Sequence, residues 1–244
     1  MVFEWSRVLF GDKPSPDLAG FAIRFLADLS KEEYPVGADK LKNNTYVDDV
    51  GYSTSTTLDA NDTKQEVSSI LKRGQFSVKC WNSNCLQVDE NQIQRSVDFL
   101  GHLWDKRNDT IQLKQKESYN LDNLKFTKSS CMGLVARFWD LSGLYLPVTI
   151  RYRIHLQKLW KEGFSWEEEV GQEHISLWEK NIQEMEKLRN FPVQRCLKPN
   201  NVSDEHPQLH GFSDGGDDAF GTCVFIRWPT TAGIDIRFVA LIKM

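Results

Sequence analysis

Asp48 and Asp49 stand side by side in "NTYVDDVGYS", residues 44–53. Adjacent carboxylates repel, so their placement needs a reason. The plain one is a surface turn, because Asp bonds nearby backbone N–H groups and tolerates unusual dihedrals. The flanks add a second reading. Tyr46 and Val47 favour extended chain, as do Val50, Tyr52 and Thr54. The pattern predicts strand, two-residue turn, strand, with both carboxylates at the tip. Asp-Asp is a poor tight corner beside Asn-Gly or Asp-Gly. An unfavourable corner with two like charges suggests a cation site. Hard ions such as Mg²⁺ take carboxylate oxygens, and usually few from the protein.

Other reactive side chains are scattered. Five cysteines (Cys80, Cys85, Cys131, Cys196, Cys223) fit a reducing compartment better than a disulfide framework. Cys80 and Cys85 are close, but no second Cys/His pair stands at zinc spacing. His102, His155 and His210 show no ligand spacing. Trp104, Trp139, Trp160 and Trp178 read as core residues rather than base-stacking platforms.

Charge is distributed unevenly. The net charge of −4 and pI near 5.8 argue mildly against a nucleic-acid binder. Lys125 to Glu162, however, holds seven basic residues against Asp140 and Glu162. Gly163 to Asn190 holds seven acids against three bases. A basic segment beside an acidic one can present one face to a polyanion, and solvated helix surfaces explain it equally well. No run approaches 18 apolar residues, and "MVFEWSRVLF" lacks the features of a signal peptide. The expectation is an intracellular protein, not secreted and without a membrane partner.

The elements that must position these groups follow from periodicity and punctuation. Ser15 and Pro16 open a helix with Leu18, Ala22, Phe25, Leu26 and Leu29 as its apolar stripe. Asp59 to Arg73 reads as a helix with Val67, Ile70 and Leu71 inward and Gly74 as its stop. "QFSVKCW" reads as a strand; "VDFLGHLWD" and "DTIQL" read as a strand pair around "KRN". Residues 127 to about 190 read as helices broken at "SGLYLP" and "GFSW". Among them are a basic helix over Val148–Trp160 and a charged one over Glu168–Leu188. Residues 195–208 read as a linker, and "LHGFSDGG", "FGTCVFIRW" and "IDIRFVALI" as three strands.

These segments, in this order, resemble the polymerase polyproteins of Bel/Pao-type LTR retrotransposons. "YVDD" on a hairpin resembles the metal-binding motif of reverse transcriptases. "RVLFGDKPSPDLA" resembles their template- and nucleotide-contacting segment, "GQFSVKCWNSN" the segment with a phosphate-contacting lysine, and "FLGHLWD" the primer-grip hairpin. "LVARFWDLSGLYLPVTIRYRIHLQKLW" resembles the thumb and connection region. "LHGFSDGG…AFGTCVFIR" resembles the opening strands of an RNase H domain.

The resemblance implies an α+β fold. Residues 1–114 would form a partial palm, 115–195 a helical thumb and connection, and 196–244 the first strands of an RNase H-like sheet. It implies RNA-directed DNA polymerase chemistry, with Mg²⁺ or Mn²⁺ activating a primer 3′-hydroxyl and stabilising the leaving pyrophosphate. Asp48 and Asp49 would be the catalytic metal ligands, Asp48 the better placed, and Asp214 an RNase H metal ligand. Phe10, Gly11, Pro16 and Tyr46 would shape the nucleotide and template pocket, and Lys79 would neutralise phosphate. Gly101 would let the primer backbone approach closely. Arg151, Arg153 and Lys158 would track the duplex. The implied partners are the RNA and DNA of a template–primer duplex and the rest of the Pol polyprotein. The resemblance places a first catalytic aspartate upstream of "RVLFG" and further RNase H carboxylates beyond residue 244. The expectation is therefore a fragment inactive alone. The alternative is a non-catalytic nucleic-acid- or protein-binding remnant.

Overall fold

The computed structural model describes residues 11–114, 124–137, 140, 143–188, 191–204 and 206–243. Among them the chain is α+β, with six helices and three small antiparallel sheets. It divides into two compact units, Met1–Arg95 and Ser96–Met244.

In the first unit, helix α1 (Ser15–Ser30) starts with Pro16 in its first turn. Its packed face is Ile23, Ala27 and Ser30, with Leu26 partly buried. The expected stripe points elsewhere: Leu18, Phe25 and Leu29 are exposed, and Phe21 stacks on Phe25 at 6.1 Å. Apolar side chains cover well over half of the helix circumference, so periodicity alone does not choose the packed side. Helix α2 (Pro35–Asn43) supplies Ala38 and Leu41 to the same core, and helix α3 (Thr57–Arg73) supplies Val67, Ile70 and Leu71. Thr56 caps α3 by accepting from the Asp59 N–H at 3.1 Å. The α3 stop works differently from the expectation. Gln75, not Gly74, takes the left-handed turn (φ 59°), and the Phe76 N–H donates to the Leu71 carbonyl at 3.0 Å. A Cβ at Gly74 would press on the flexible end of the Leu26 side chain.

The expected strand over "QFSVKCW" does not form. Its backbone serves a loop instead of a ladder. The Trp81 N–H donates to Glu90 Oε2 at 3.1 Å and the Glu90 N–H to the Trp81 carbonyl at 2.9 Å. Lys64 of α3 holds Glu90 at 2.7 Å. Strand propensity without a neighbouring strand gives only extended chain.

The second unit begins with a meander, β3 (Ser96–Phe99), β4 (His102–Asp105) and β5 (Thr110–Leu113). Strand β6 (Val193–Gln194) pairs onto β5. Thus "VDFLGHLWD" is itself a hairpin rather than one strand. Its corner is Leu100–Gly101, both at positive φ (47° and 79°), as a type I′ turn requires. Arg195 clamps the far edge: its guanidinium grips Asp109 at 2.6 and 3.0 Å and lies over Trp104.

Helices α4 (Lys128–Ala136), α5 (Leu146–Lys161) and α6 (Gln172–Leu188) surround a core of Tyr152, Leu159, Trp178, Ile182 and Met185. Helix α6 starts later than Glu168 because Glu169 makes a bridge to Thr127, the α4 cap. Trp178 is fully buried, as expected. Trp160 is 43% exposed, meets Trp166 edge-on and lies under the Lys128 ammonium at 4.7 Å; Trp139 is outside the described residues. The expected linker docks in part, with the Ser203 N–H donating to the Pro229 carbonyl at 3.0 Å. The third sheet is β7 (Gln208–Gly215), β8 (Phe220–Thr230) and β9 (Gly233–Lys243) in sequence order. Among the described residues no helix is long and apolar enough to cross a membrane.

Candidate functional site

The aspartate hairpin consists of β1 (Thr45–Tyr46) and β2 (Asp49–Val50). Thr45 pairs with Val50 and Tyr46 with Asp49, so the corner is Val47–Asp48. The expected Asp-Asp tip is therefore displaced by one residue. Val47 carries the positive φ (55°) that the first corner position of a II′ turn demands. Glycine is usual there, and a β-branched residue is an outlier. The left-handed backbone costs valine on the order of 1–2 kcal/mol. Core packing does not explain the choice, because Val47 is 65% exposed.

The hairpin is anchored at its base. Thr45 Oγ1 donates to the Leu41 carbonyl at 2.8 Å and the Gly51 N–H to the Asn44 carbonyl at 3.0 Å. Val50 packs against the first core. Asp48 is left exposed at the corner. Directly paired residues share a face, which puts Tyr46 beside Asp49. The carboxylate oxygens of Asp48 and Asp49 suit Mg²⁺ or Mn²⁺, which keep most positions for water or phosphate. Among the described residues no group of three or more His, Cys, Asp or Glu is placed to hold a metal ion.

The other residues singled out in this unit are spread along it. Gly11 (φ 93°) and Pro16 are exposed at the start of α1, and Phe10 is outside the described residues. Lys79 is exposed on the irregular segment before Trp81. Trp81 meets Tyr52 edge-on at 6.2 Å, and burial pushes the Tyr52 hydroxyl up to about 12.

In the second unit, Gly101 sits at the β3–β4 corner. Beside it, His102 of "FLGHLWD" stacks on Tyr145 at 6.4 Å, with its Nε2 3.8 Å from Asp140. Asp140 accepts from the Leu144 and Tyr145 N–H groups at 2.9 and 2.8 Å. His102, Asp140 and Tyr145, which the sequence treats separately, thus meet at one buried cluster. Asp214 is exposed on β7, paired with Gly221, and accepts from the Gly215 N–H at 3.0 Å.

The basic residues of α5 divide between two sides. Arg151 and Lys158 line a cavity of about 410 Å³ with Ile154 and His155, opposite Leu177, Lys180 and Asn181 of α6. Arg153 is exposed and does not line it. Arg153 stands two positions after Arg151, about 200° around a helix of 3.6 residues per turn. Arg151 is ion-paired with Glu184.

A histidine chain that sequence spacing does not flag lies next to this cavity. His155 Nε2 is 3.0 Å from His174 Nδ1, and His174 Nε2 is 2.8 Å from Glu162 Oε2. His155 is 5% exposed and stacks on Trp178 at 5.2 Å. Its Nδ1 is buried without a hydrogen-bond partner. Burial, followed by the positive neighbours His174 and Lys158, lowers its pKa from 6.5 to about 4, with Glu162 opposing. No short-range signal points to it, because residues 162–171 separate α5 from α6 and the two histidines stand 19 positions apart.

Residues 127–240 match the family described as Pao retrotransposon-like RNaseH-like domain. The match covers helices α4 to α6 together with most of the β7–β9 sheet, and it supports a Bel/Pao retrotransposon Pol region with an RNase H-like part. No curated protein and no solved structure matches the chain.

Proposed function

We propose that the chain is the palm-to-RNase H portion of a Bel/Pao reverse transcriptase. Its role is to hold a template–primer duplex beside an aspartate corner that serves nucleotidyl transfer. The observation that carries this reading is the strained Tyr46–Val47–Asp48–Asp49 corner. Strain held at an exposed turn, where no packing calls for it, is a mark of function. The Pao match further along the same chain supports the element to which such a corner would belong.

A divalent cation at the corner would supply activation of a hydroxyl nucleophile and stabilise phosphate charge. The corner itself offers one carboxylate at the turn, a second on the adjoining strand and a tyrosine on the second one's face. Two carboxylates carry little charge for two cations, so transfer requires a further carboxylate from another strand. The chain by itself is accordingly expected to bind metal weakly and not to extend a primer.

Manganese provides the test, because its unpaired electrons broaden nearby amide signals. Selective broadening of Tyr46 to Val50, lost in Asp48→Ala, is the expected result. Uniform broadening, or primer extension that survives Asp48→Ala, would overturn the assignment.

A further inference from the structure

The α5–α6 cavity is an open groove with mostly apolar walls that carries three cationic side chains. Arg151 and Lys158 reach it from α5 and Lys180 from α6. Among the described residues neither Lys158 nor Lys180 pairs with a carboxylate. Arg151 is matched by Glu184, so the lining keeps two uncompensated positive charges. Asn181 adds an amide. Ile154 and Leu177 give the cavity an apolar wall.

We propose that this cavity binds a phosphomonoester, the terminal phosphate of a nucleotide or of a nucleic-acid 5′ end. A phosphomonoester carries about −1.5 to −2 charges near neutral pH and three strong acceptor oxygens. That matches two uncompensated cations with several donors. A backbone phosphodiester brings a single charge and two ester arms, which suit an open surface such as that around Arg153. The apolar wall suits the sugar or base attached to the phosphate. Every residue involved lies in the second unit, so the site does not depend on the aspartate corner.

Calorimetric titration of the full chain tests this with inorganic phosphate, a nucleoside 5′-monophosphate, and one oligonucleotide with either a 5′-phosphate or a 5′-hydroxyl. The 5′-phosphate form should bind about tenfold tighter or better than the 5′-hydroxyl form, the scale of one charge-assisted contact. Lys158→Gln with Lys180→Gln should remove that difference, while Arg153→Gln should keep it. A mononucleotide that matches the phosphorylated oligonucleotide identifies a nucleotide site; a weaker mononucleotide identifies a strand end. Equal affinity for the two oligonucleotides, or a preference that survives the double substitution, would overturn the proposal. General duplex binding reads on the 5′-hydroxyl form alone, so its failure is separable from this one.

Discussion

Val47 pays for its corner with backbone strain, and that gives a first prediction. Val47→Gly should relieve the left-handed backbone, offset in part by the entropy glycine gains when unfolded. The expected net is a stabilisation of up to about 1 kcal/mol in denaturant unfolding, with slower amide exchange at Thr45 and Val50. Marked destabilisation would mean that the valine side chain has a structural role. His155 gives a pH prediction. In the unfolded chain its imidazole takes a proton as pH falls below about 6.5, whereas the folded one resists to about 4. Its contribution is complete above pH 6.5 and is lost between 6.5 and 4, by up to about 3 kcal/mol. His155→Gln should flatten that part of the stability profile; an unchanged slope would remove His155 as the cause. At this scale the sequence was partly legible. The aspartate pair marked the hairpin, but valine's low tolerance of positive φ concealed the corner's register. The His155–His174 contact spans 19 residues and follows no motif.

At the scale of elements, legibility followed local chemistry. Pro16 and Pro147 near helix starts and Gly163 (φ 82°) past α5 mark boundaries that the sequence places well, whereas the Thr56 cap starts α3 two residues before the expected Asp59. Residues 75–81 were misread because a strand depends on a partner elsewhere in the chain. Close helix packing was not visible either. Gly37 of α2 donates its N–H to Glu66 Oε2 at 2.7 Å, and a Cβ there would meet Glu66 Cβ at 2.6 Å and the Val67 nitrogen at 2.9 Å. Gly37→Ala should therefore cost about 1–3 kcal/mol, the range for overpacking. Gly74→Ala should cost less, because the nearest atom it meets is the end of a flexible Leu26 side chain. Equal losses in parallel denaturant melts would contradict this account of α2–α3 packing.

At the scale of the molecule, two features set how the chain meets others. Apolar side chains are exposed along α1 (Leu18, Phe21, Phe25, Leu29) and on the third sheet, with Phe212, Ile234 and Ile236 on one face and Leu209 on the other. Patches of this kind promote association, so light scattering should rise with concentration and fall in Phe21→Glu with Phe25→Glu. Net charge is the second feature. At −4 the whole chain opposes a polyanion, and any nucleic-acid binding must come from local faces such as α5. The most direct test of the proposed function is the anisotropy of a labelled RNA–DNA duplex, titrated with the chain from 50 to 200 mM salt. The account predicts sequence-independent binding that weakens steeply with salt. Arg153→Glu with Lys161→Glu should bind more weakly and lower the slope by about one per lost phosphate contact. Wild type and variant with the same affinity and slope across the salt range would contradict it.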